Sequence, residues 1–394
     1  MAIIDTTTRL DTFSFPGIRR AFYTQGKHWV FYCDATAVVY KTSADGSTWS
    51  GSTTVFTPTS SQFFGGIYWA IYFDGVYIHY TRFDTPGGTL TLSYRRGTPS
   101  GDGTISWSAV EQVVETGKFY DALQVIKDSE GYPWVSAFGA DRIDIIKSDT
   151  NDGTWSTQTG FPYEPIASNH HGSFLTPLGG GDVYVVYLRG AFNDVVGRLW
   201  DGGTDSWGGQ ETITTKDPET YHRASIASYG DIVYFTFLQE NEDIYFEERS
   251  AGGSWSETLI YNGTTNTISP TICVVGTGGD LRIVWAGDPA VGHFYYKKRV
   301  SGTWDVSATD WIDASGSTLV GNNNYSIFFE EYSTVMGLVY VVGAGSPYDI
   351  IYEFLGTPPP IGWAGGDVNG VAIANIAKIN GVALADITKV NGVA

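Results

Sequence analysis

Several polar residues that could bind anions or transfer protons occupy one position in a repeated pattern. Each stands at the start of a segment expected to be an innermost strand of a larger β-structure. They are Arg20 in IRRAFY, Asp121 in YDALQV, His171 in HHGSFL, Arg223 in HRASIA and Tyr325 in NYSIFF, with Arg19, His170 and His222 beside them. Arginine binds carboxylates through its planar fork, and Tyr, Asp and His can act as nucleophiles or proton donors. Where such strands converge on a common axis, these side chains form a ring around a candidate pocket.

Three interpretations of this ring remain open at the level of sequence. Arg20, Asp121 and Arg223 could form an ion-pair belt around a central channel. The ring could bind a ligand without cleaving it, or it could hydrolyse one. We predict no metal site, because the adjacent residues His170 and His171 would point to opposite faces of a strand. The chain also shows no phosphate loop or nucleophile elbow, so no cofactor is expected.

A Gly-Trp turn recurs along the chain at intervals of about 50 residues, as in repeat proteins built from four-stranded units. The first copy is SADGSTWS, with Ser43, Asp45, Gly46 and Trp49. The tryptophans of the later copies are Trp107, Trp155, Trp207, Trp255 and Trp304. Glycine allows the positive φ of a tight hairpin, and a short polar side chain bonds back to backbone amides. We therefore assign these turns a structural role, with each Trp packed between neighbouring sheets.

The strand pattern predicts an all-β chain that forms a single β-propeller of about seven four-stranded blades, with six as the alternative. A seventh unit follows the last Trp but supplies only three strands, at NYSIFFEEYS, LVYVVGAG and DIIYEFLG. The N-terminal segment AIIDTTTRL precedes the first innermost strand, so it can supply the missing outermost strand. Closing the ring in this way removes two exposed sheet edges.

Three regions follow from this pattern: a propeller over 1–357, a Pro/Gly linker over 358–364 and a repeated tail over 365–394. The tail carries Asn-Gly-Val-Ala three times with a period of 11 residues. The Asn-Gly pairs are Asn369–Gly370, Asn380–Gly381 and Asn391–Gly392. Asn-Gly favours hairpin turns, but the apolar positions between them fit neither a regular strand nor a regular helix. We expect a compact repeat that packs on the propeller, on a copy of itself or on another protein.

Charge and composition exclude several classes of partner. The chain has 42 acidic and 23 basic residues, a formal net charge of −19, which disfavours nucleic acid and anionic membranes. No segment approaches the length of a transmembrane helix, and no signal peptide is evident. Cys33 and Cys273 fall in different predicted blades and are expected to be buried free thiols.

The first of two resemblances to known families lies in the turns. The turn SADGSTW resembles the Asp-box of sialidase-like propellers, and SDTNDGTW at Ser148–Trp155 is a looser version. This resemblance implies a propeller, with sialidase-like glycoside hydrolysis as one function. A sialidase would use an arginine cluster, a Tyr-Glu nucleophile pair and an Asp acid–base. The chain departs from the family pattern because Pro16-Gly17-Ile18-Arg19-Arg20 replaces the expected Arg-Ile-Pro start and no third arginine is apparent.

The second resemblance lies in the tail, whose 11-residue repeat resembles segments of bacteriophage tail and fibre proteins. It implies a virion protein, made in the host cytoplasm, whose tail contacts other virion proteins or copies of itself. We therefore expect a non-enzymatic structural protein of a phage-like particle that recognises host-surface glycans at the mouth of the channel. The alternatives are a sialidase-like hydrolase and a lectin-like propeller of a bacterial surface.

Overall fold

The computed structural model describes most of the chain up to residue 356. The described ranges are 2–13, 17–60, 65–108, 110–139, 142–165, 170–189, 194–218, 223–276, 278–316, 318–319 and 324–356, with 378–379 and 382–383 in the tail. Seven antiparallel sheets follow one another between residues 2 and 356, and all of their strands but one pair with near neighbours in sequence. The predicted seven-bladed β-propeller is therefore confirmed over the alternative of six blades.

Each blade runs from an innermost to an outermost strand. Blade 1 contains β2 (Ala21–Thr24), β3 (Lys27–Cys33), β4 (Val38–Ser43) and β5 (Thr53–Phe56). Blade 2 contains β6 (Trp69–Phe73), β7 (Ile78–Asp84), β8 (Thr91–Pro99), β9 (Ile105–Trp107) and β10 (Gln112–Thr116). Blade 3 contains β11 (Ala122–Lys127), β12 (Pro133–Gly139) and β13 (Arg142–Lys147).

Blade 4 contains β14 (His170–Pro177), β15 (Val183–Arg189), β16 (Asp194–Asp201), β17 (Ser206–Trp207) and β18 (Glu211–Thr214). Blade 5 contains β19 (Ala224–Tyr229), β20 (Ile232–Leu238), β21 (Ile244–Arg249) and β22 (Trp255–Tyr261). Blade 6 contains β23 (Ile268–Val275), β24 (Asp280–Ala286), β25 (His293–Val300), β26 (Thr303–Trp304) and β27 (Thr309–Asp313). Short 3₁₀ turns occur at Pro86–Gly88 and Gly179–Gly181.

The blades with five strands are four-stranded blades whose outermost strand is interrupted. In blades 2, 4 and 6, two short strands pair with the same third strand, as β9 and β10 do with β8. Blade 3 keeps three regular strands, and isolated bridges from Thr157 and Tyr163 to Ser148 and Ile145 stand where its fourth strand would be.

The N-terminal strand closes the ring. Blade 7 contains β28 (Tyr325–Ile327), β29 (Met336–Val342) and β30 (Tyr348–Leu355), and β1 (Ala2–Thr7) is its outermost strand. β1 pairs antiparallel with β30, from Ala2 opposite Tyr352 to Thr7 opposite Tyr348. This confirms the closure predicted from the three-stranded last unit.

The core lies between the blades, because both faces of each inner strand are covered by neighbouring sheets. β12 and β29 are buried at every position, and Trp29, Trp69, Trp134 and Trp285 are fully buried. Cys33 and Cys273 are buried free thiols, as predicted, and burial raises the pKa of each to about 12.

In the tail, β31 (Lys378–Ile379) and β32 (Val382–Ala383) pair antiparallel on either side of Asn380–Gly381. This pairing agrees with the hairpin interpretation of that repeat. Asn369–Gly370, Asn380–Gly381 and Asn391–Gly392 themselves lie outside the described residues. The described residues contain no helix long and apolar enough to cross a bilayer.

Candidate functional site

The predicted ring residues lie at one end of the innermost strands. Arg20 directly precedes β2, Asp121 precedes β11 and Arg223 precedes β19, while His171 belongs to β14 and Tyr325 begins β28. We call the face on which the innermost strands begin the upper face. It also carries the loops that join the second and third strands of each blade, since successive strands of a blade alternate in direction.

Arg19 does not face a pocket. Its guanidinium donates hydrogen bonds to Thr271 Oγ1 (2.7 Å), Ser225 Oγ (3.1 Å) and the carbonyl oxygens of Ile226 (3.1 Å) and Ile272 (2.7 Å). These acceptors belong to β19 and β23, the innermost strands of blades 5 and 6. Burial lowers the pKa of Arg19 to about 10, still well above neutrality. Arg19 therefore joins two blades from the inside.

Residues 17–20 occupy the axis of the propeller. Ser326 Oγ of blade 7 donates a hydrogen bond to the Ile18 carbonyl (2.8 Å), and Gly17 lies against Ala224 of blade 5. Arg20 donates to the Gly66 carbonyl, next to blade 2. We call residues 17–20 the axial plug. A cavity of about 20 Å³ lies between Ile18 of this plug and the innermost strands of blades 3 and 4.

Arg20 is fully buried, with its guanidinium carbon 3.6 Å from the centre of the Trp69 ring. Its Nε and Nη1 atoms have no hydrogen-bond partner among the described residues, and burial lowers its pKa well below the usual value. Stacking on an indole is favourable for a guanidinium. The residue packs into the core rather than lining an accessible surface.

The remaining predicted residues are spread around the ring. Asp121 is half-buried in blade 3, and burial raises the pKa of its carboxyl. The backbone of His171 lies in β14, but its side chain is outside the described structure, as is the whole of His222. Of the predicted ring residues whose side chains the structure describes, Arg223 lines an open cleft, and Tyr325 lines a small cavity that shares Ile268 and Leu319 with that cleft.

The cleft lined by Arg223 has a volume of about 360 Å³ and lies on the upper face, where loops of blades 5 and 6 and the loop leading to blade 7 meet. Arg223 Nη1 lies 3.8 Å from Glu242 Oε2, and the two side chains are 12% and 20% exposed. Hydroxyl, amide and aliphatic groups form the other walls. The lining residues are Arg223, Glu242, Thr265, Asn266, Thr267, Ile268, Gly287, Val291, Gly292, Ser315, Thr318 and Leu319. We call this site the upper cleft.

Buried carboxylates hold the wall that contains Thr267. Asp243 Oδ1 accepts a hydrogen bond from the Gly263 amide (3.1 Å), and Asp288 Oδ2 accepts one from Thr267 Oγ1 (3.4 Å). Gly287 has a φ of 91°, and a Cβ atom there would lie 1.9 Å from the Asn266 carbonyl oxygen. Only glycine at this position lets the loop that contains Gly287 approach the loop that contains Asn266 so closely.

Tyr325 lies beneath the upper cleft and is 2% exposed. It packs edge-on against Phe294 of blade 6 (5.3 Å), and its strand partner is Tyr340. Both phenol oxygens lack a hydrogen-bond partner among the described residues. Burial raises the pKa of Tyr325 far above the physiological range. A small cavity of about 10 Å³ adjoins Tyr325 and shares Ile268 and Leu319 with the upper cleft.

Sequence reasoning missed Glu242 and the loop 265–268. Glu242 lies in the turn between β20 and β21, in the segment QENED, which resembles an ordinary polar turn. Strand topology could have identified these residues as candidates for the site. Turns between second and third strands share a face with the starts of the innermost strands, so their polar residues are also candidates for the site.

The Gly-Trp turns lie on the opposite, lower face. Asp45 Oδ1 accepts hydrogen bonds from the amides of Thr48 (2.7 Å) and Ser47 (2.8 Å) and from Ser43 Oγ (2.9 Å), which holds the pKa of Asp45 well below its usual range. Gly46 has a φ of 72° in this turn.

Five of the six tryptophans contact an aromatic ring of the preceding blade. These pairs are Trp49 with Tyr352, Trp155 with Tyr94, Trp207 with Tyr163, Trp255 with Tyr184 and Trp304 with Phe246. Trp107 contacts Tyr80 of its own blade.

Comparison with known proteins gives a likeness of fold only. No family model matches the chain, and no curated protein matches it in sequence. The BP39L lectin from Burkholderia pseudomallei superimposes with a TM-score of 0.63 at 10% identity, covering 88% of this chain and 99% of the lectin. A PL25 polysaccharide lyase, an ulvan lyase, gives a TM-score of 0.59 at 12% identity over 90% of this chain and 96% of the lyase.

The Aleuria aurantia lectin in complex with α-methyl-L-fucoside gives a TM-score of 0.50 at 14% identity. That alignment covers 73% of this chain and 93% of the lectin. The propeller fold is thus shared with sugar-binding and sugar-cleaving proteins alike, so function has to be argued from the site.

Proposed function

We propose that this chain binds glycans through the upper cleft without cleaving them. The observation that carries this proposal is the composition of the cleft: one arginine–carboxylate pair together with hydroxyl, amide and aliphatic side chains. Sugars present hydroxyl groups and aliphatic faces, so such a surface matches both parts of a pyranose ring. The lectins that share the fold support the same function.

The first test is a glycan array probed with the full-length protein, Arg223→Ala and Arg142→Ala. Arg142 begins β13 on the upper face of blade 3, away from the cleft, and serves as the matched control. We expect binding by the wild type and Arg142→Ala and a loss of at least about tenfold for Arg223→Ala, equivalent to about 1.4 kcal/mol. Equal binding by all three proteins would place the glycan site elsewhere, and a blank array would refute the function.

Sialidase-like hydrolysis is the alternative enzyme function, and the geometry argues against it. The hydrogen bonds of Arg19 go to protein oxygens, and Arg20 is fully buried, so neither is presented to a substrate carboxylate. Tyr325, the candidate nucleophile, is 2% exposed. The array should therefore be read for loss of the terminal sugar as well as for binding. Loss that disappears in Tyr325→Phe would overturn the non-enzymatic proposal, and release of an unsaturated sugar would indicate a lyase.

We also propose that the propeller is displayed on a phage-like particle through residues 365–394. This rests on the 11-residue Asn-Gly-Val-Ala repeat and on the hairpin formed by β31 and β32. Other virion proteins or copies of this chain would be the partners of the tail. Deletion of residues 361–394 tests this role, because it removes the repeat and leaves every blade strand in place.

A further inference from the structure

The charges that line the upper cleft balance each other. Arg223 is the only cation and Glu242 the only anion among its described lining residues, and they lie 3.8 Å apart. An anionic ligand would have to compete with Glu242 for Arg223, because the described lining offers no second cation. An uncharged ligand can bond to both groups without disturbing the pair.

The surroundings of the upper cleft add negative potential. Asp243 and Asp288 lie buried behind the wall that contains Thr267, and the whole chain carries a formal net charge of −19. The two buried carboxyl groups and the negative net charge both disfavour binding of a carboxylate or sulfate group in the cleft, because electrostatic interactions extend over several ångströms.

The backbone at Glu242 adds a second observation on this residue. Its φ is 71°, in the left-handed region that favours glycine and disfavours residues with a Cβ atom. Of the seven non-glycine residues with a positive φ in the described part of the chain, Glu242 is the one that lines the upper cleft, and such backbone recurs at binding sites. Glycine would serve the turn better if the turn were only a connection.

We infer that the upper cleft recognises an uncharged saccharide, with Arg223 donating to one hydroxyl group and Glu242 accepting from its neighbour. The inference rests on the proposed glycan-binding function and specifies its ligand class. Because Arg223 and Glu242 lie beside each other in the lining of the cleft, their side chains can contact adjacent hydroxyls of one sugar ring at the same time. Asn266, Thr267 and Ser315 line the same cleft and are available to the remaining polar groups.

The test compares sugars that differ only in charge. The full-length protein is titrated by calorimetry with methyl galactoside against methyl galacturonoside, and with methyl glucoside against methyl glucuronoside, at low and high salt. We expect the neutral member of at least one pair to bind at least tenfold more tightly, with an affinity that changes less than twofold with salt. Equal or tighter binding of the acidic members, weakened by salt, would overturn the inference while leaving glycan binding intact. If the full-length protein binds no glycan, whether on the array or in solution, both proposals fail.

A second measurement distinguishes a function of Glu242 from a structural role. Glu242→Gly removes the carboxylate and relieves the left-handed strain, so we expect a Tm equal to or above that of the wild type and at least tenfold weaker sugar binding. The matched control is Gln25→Gly, because Gln25 has a φ of 54° in the lower-face turn between β2 and β3. It should keep full affinity. Unchanged affinity in Glu242→Gly would overturn the assignment, as would an equal loss in Gln25→Gly.

Discussion

Two adjacent arginines and a distant one show how position in the fold decides what a side chain does. Arg19 and Arg20 belong to the axial plug, whereas Arg223 lines the upper cleft. All three stand near the start of an innermost strand, so their sequence contexts are alike. They differ because residues 17–20 lie among the innermost strands of several blades, whereas Arg223 stands at the start of blade 5 beside the turn that carries Glu242.

Arg19→Ala should destabilise the protein without altering the composition of the upper cleft. The substitution removes four buried hydrogen bonds that join blades 5 and 6, at a cost of about 2–4 kcal/mol. Urea denaturation measures the change in the free energy of unfolding. The control is Arg223→Ala, which is expected to cost less than about 1 kcal/mol because the side chain of Arg223 is partly exposed. A similar loss in both variants would show that the hydrogen bonds of Arg19 contribute little.

A carboxylate pair in blade 5 makes the stability of the fold depend on pH. Glu247 is buried and lies opposite Glu257 on the neighbouring strand. Burial, followed by the charge of Glu257, raises the pKa of Glu247 to about 8, from 4.5 in the unfolded chain. The native state therefore keeps a proton that the unfolded state has lost, and stability falls as the pH rises from about 4.5 through about 8.

Glu247→Gln should remove this dependence, because an amide stays neutral at every pH. We expect the variant to gain on the order of 1 kcal/mol relative to the wild type between pH 5 and pH 9, since solvent partly screens the pair. Thermal unfolding at several pH values provides the measurement. A constant difference between the two proteins across this range would contradict the assigned pKa.

At the scale of elements, the six-residue strand β1 contributes both to the core and to the closure of the ring. Ile4 is 4% exposed and faces the core, whereas Ile3 on the same strand is 56% exposed. Because β1 covers the edge of β30, it completes blade 7 and joins the two ends of the ring.

Ile4→Asp should therefore cost about 3 kcal/mol or more, since it places an unpaired carboxylate in the core. Ile3→Asp, the matched control, should change stability by less than about 0.5 kcal/mol. Thermal unfolding compares stability, and size-exclusion chromatography detects association through the exposed edge of β30. Equal stability of the two variants would mean that β1 contributes little to closure.

The strands and turns could be predicted from the sequence where the same residue types recur in each repeated unit. Gly-Trp turns mark the ends of third strands, and the missing fourth strand of the last unit indicated β1 as its source. The axial plug and Glu242 were not predictable in the same way. Arg19 bonds to residues of blades 5 and 6, and that contact depends on how the ring closes. Glu242 meets Arg223 within blade 5, but the turn that carries Glu242 has the composition of an ordinary polar turn.

At the scale of the molecule, the propeller forms a continuous ring, while the tail forms a local hairpin at β31 and β32. If the tail serves assembly, deletion of 361–394 should leave the Tm of the propeller within about 1 °C of the wild type, because no blade strand is removed. The same deletion should abolish self-association or incorporation into particles, measured by light scattering and sedimentation. Normal assembly of the truncated protein would refute the proposed role of the tail.

Ring closure by β1 also sets an order of events during synthesis. Thr7 pairs with Tyr348, roughly 340 residues further along the chain, and Phe13 bonds to Asn324, 311 residues away. At translation rates of roughly 5–20 residues per second, β1 waits roughly 17–70 s for its partner strand to be made. Until then the ring stays open, because the strand that pairs with β1 has not yet been made.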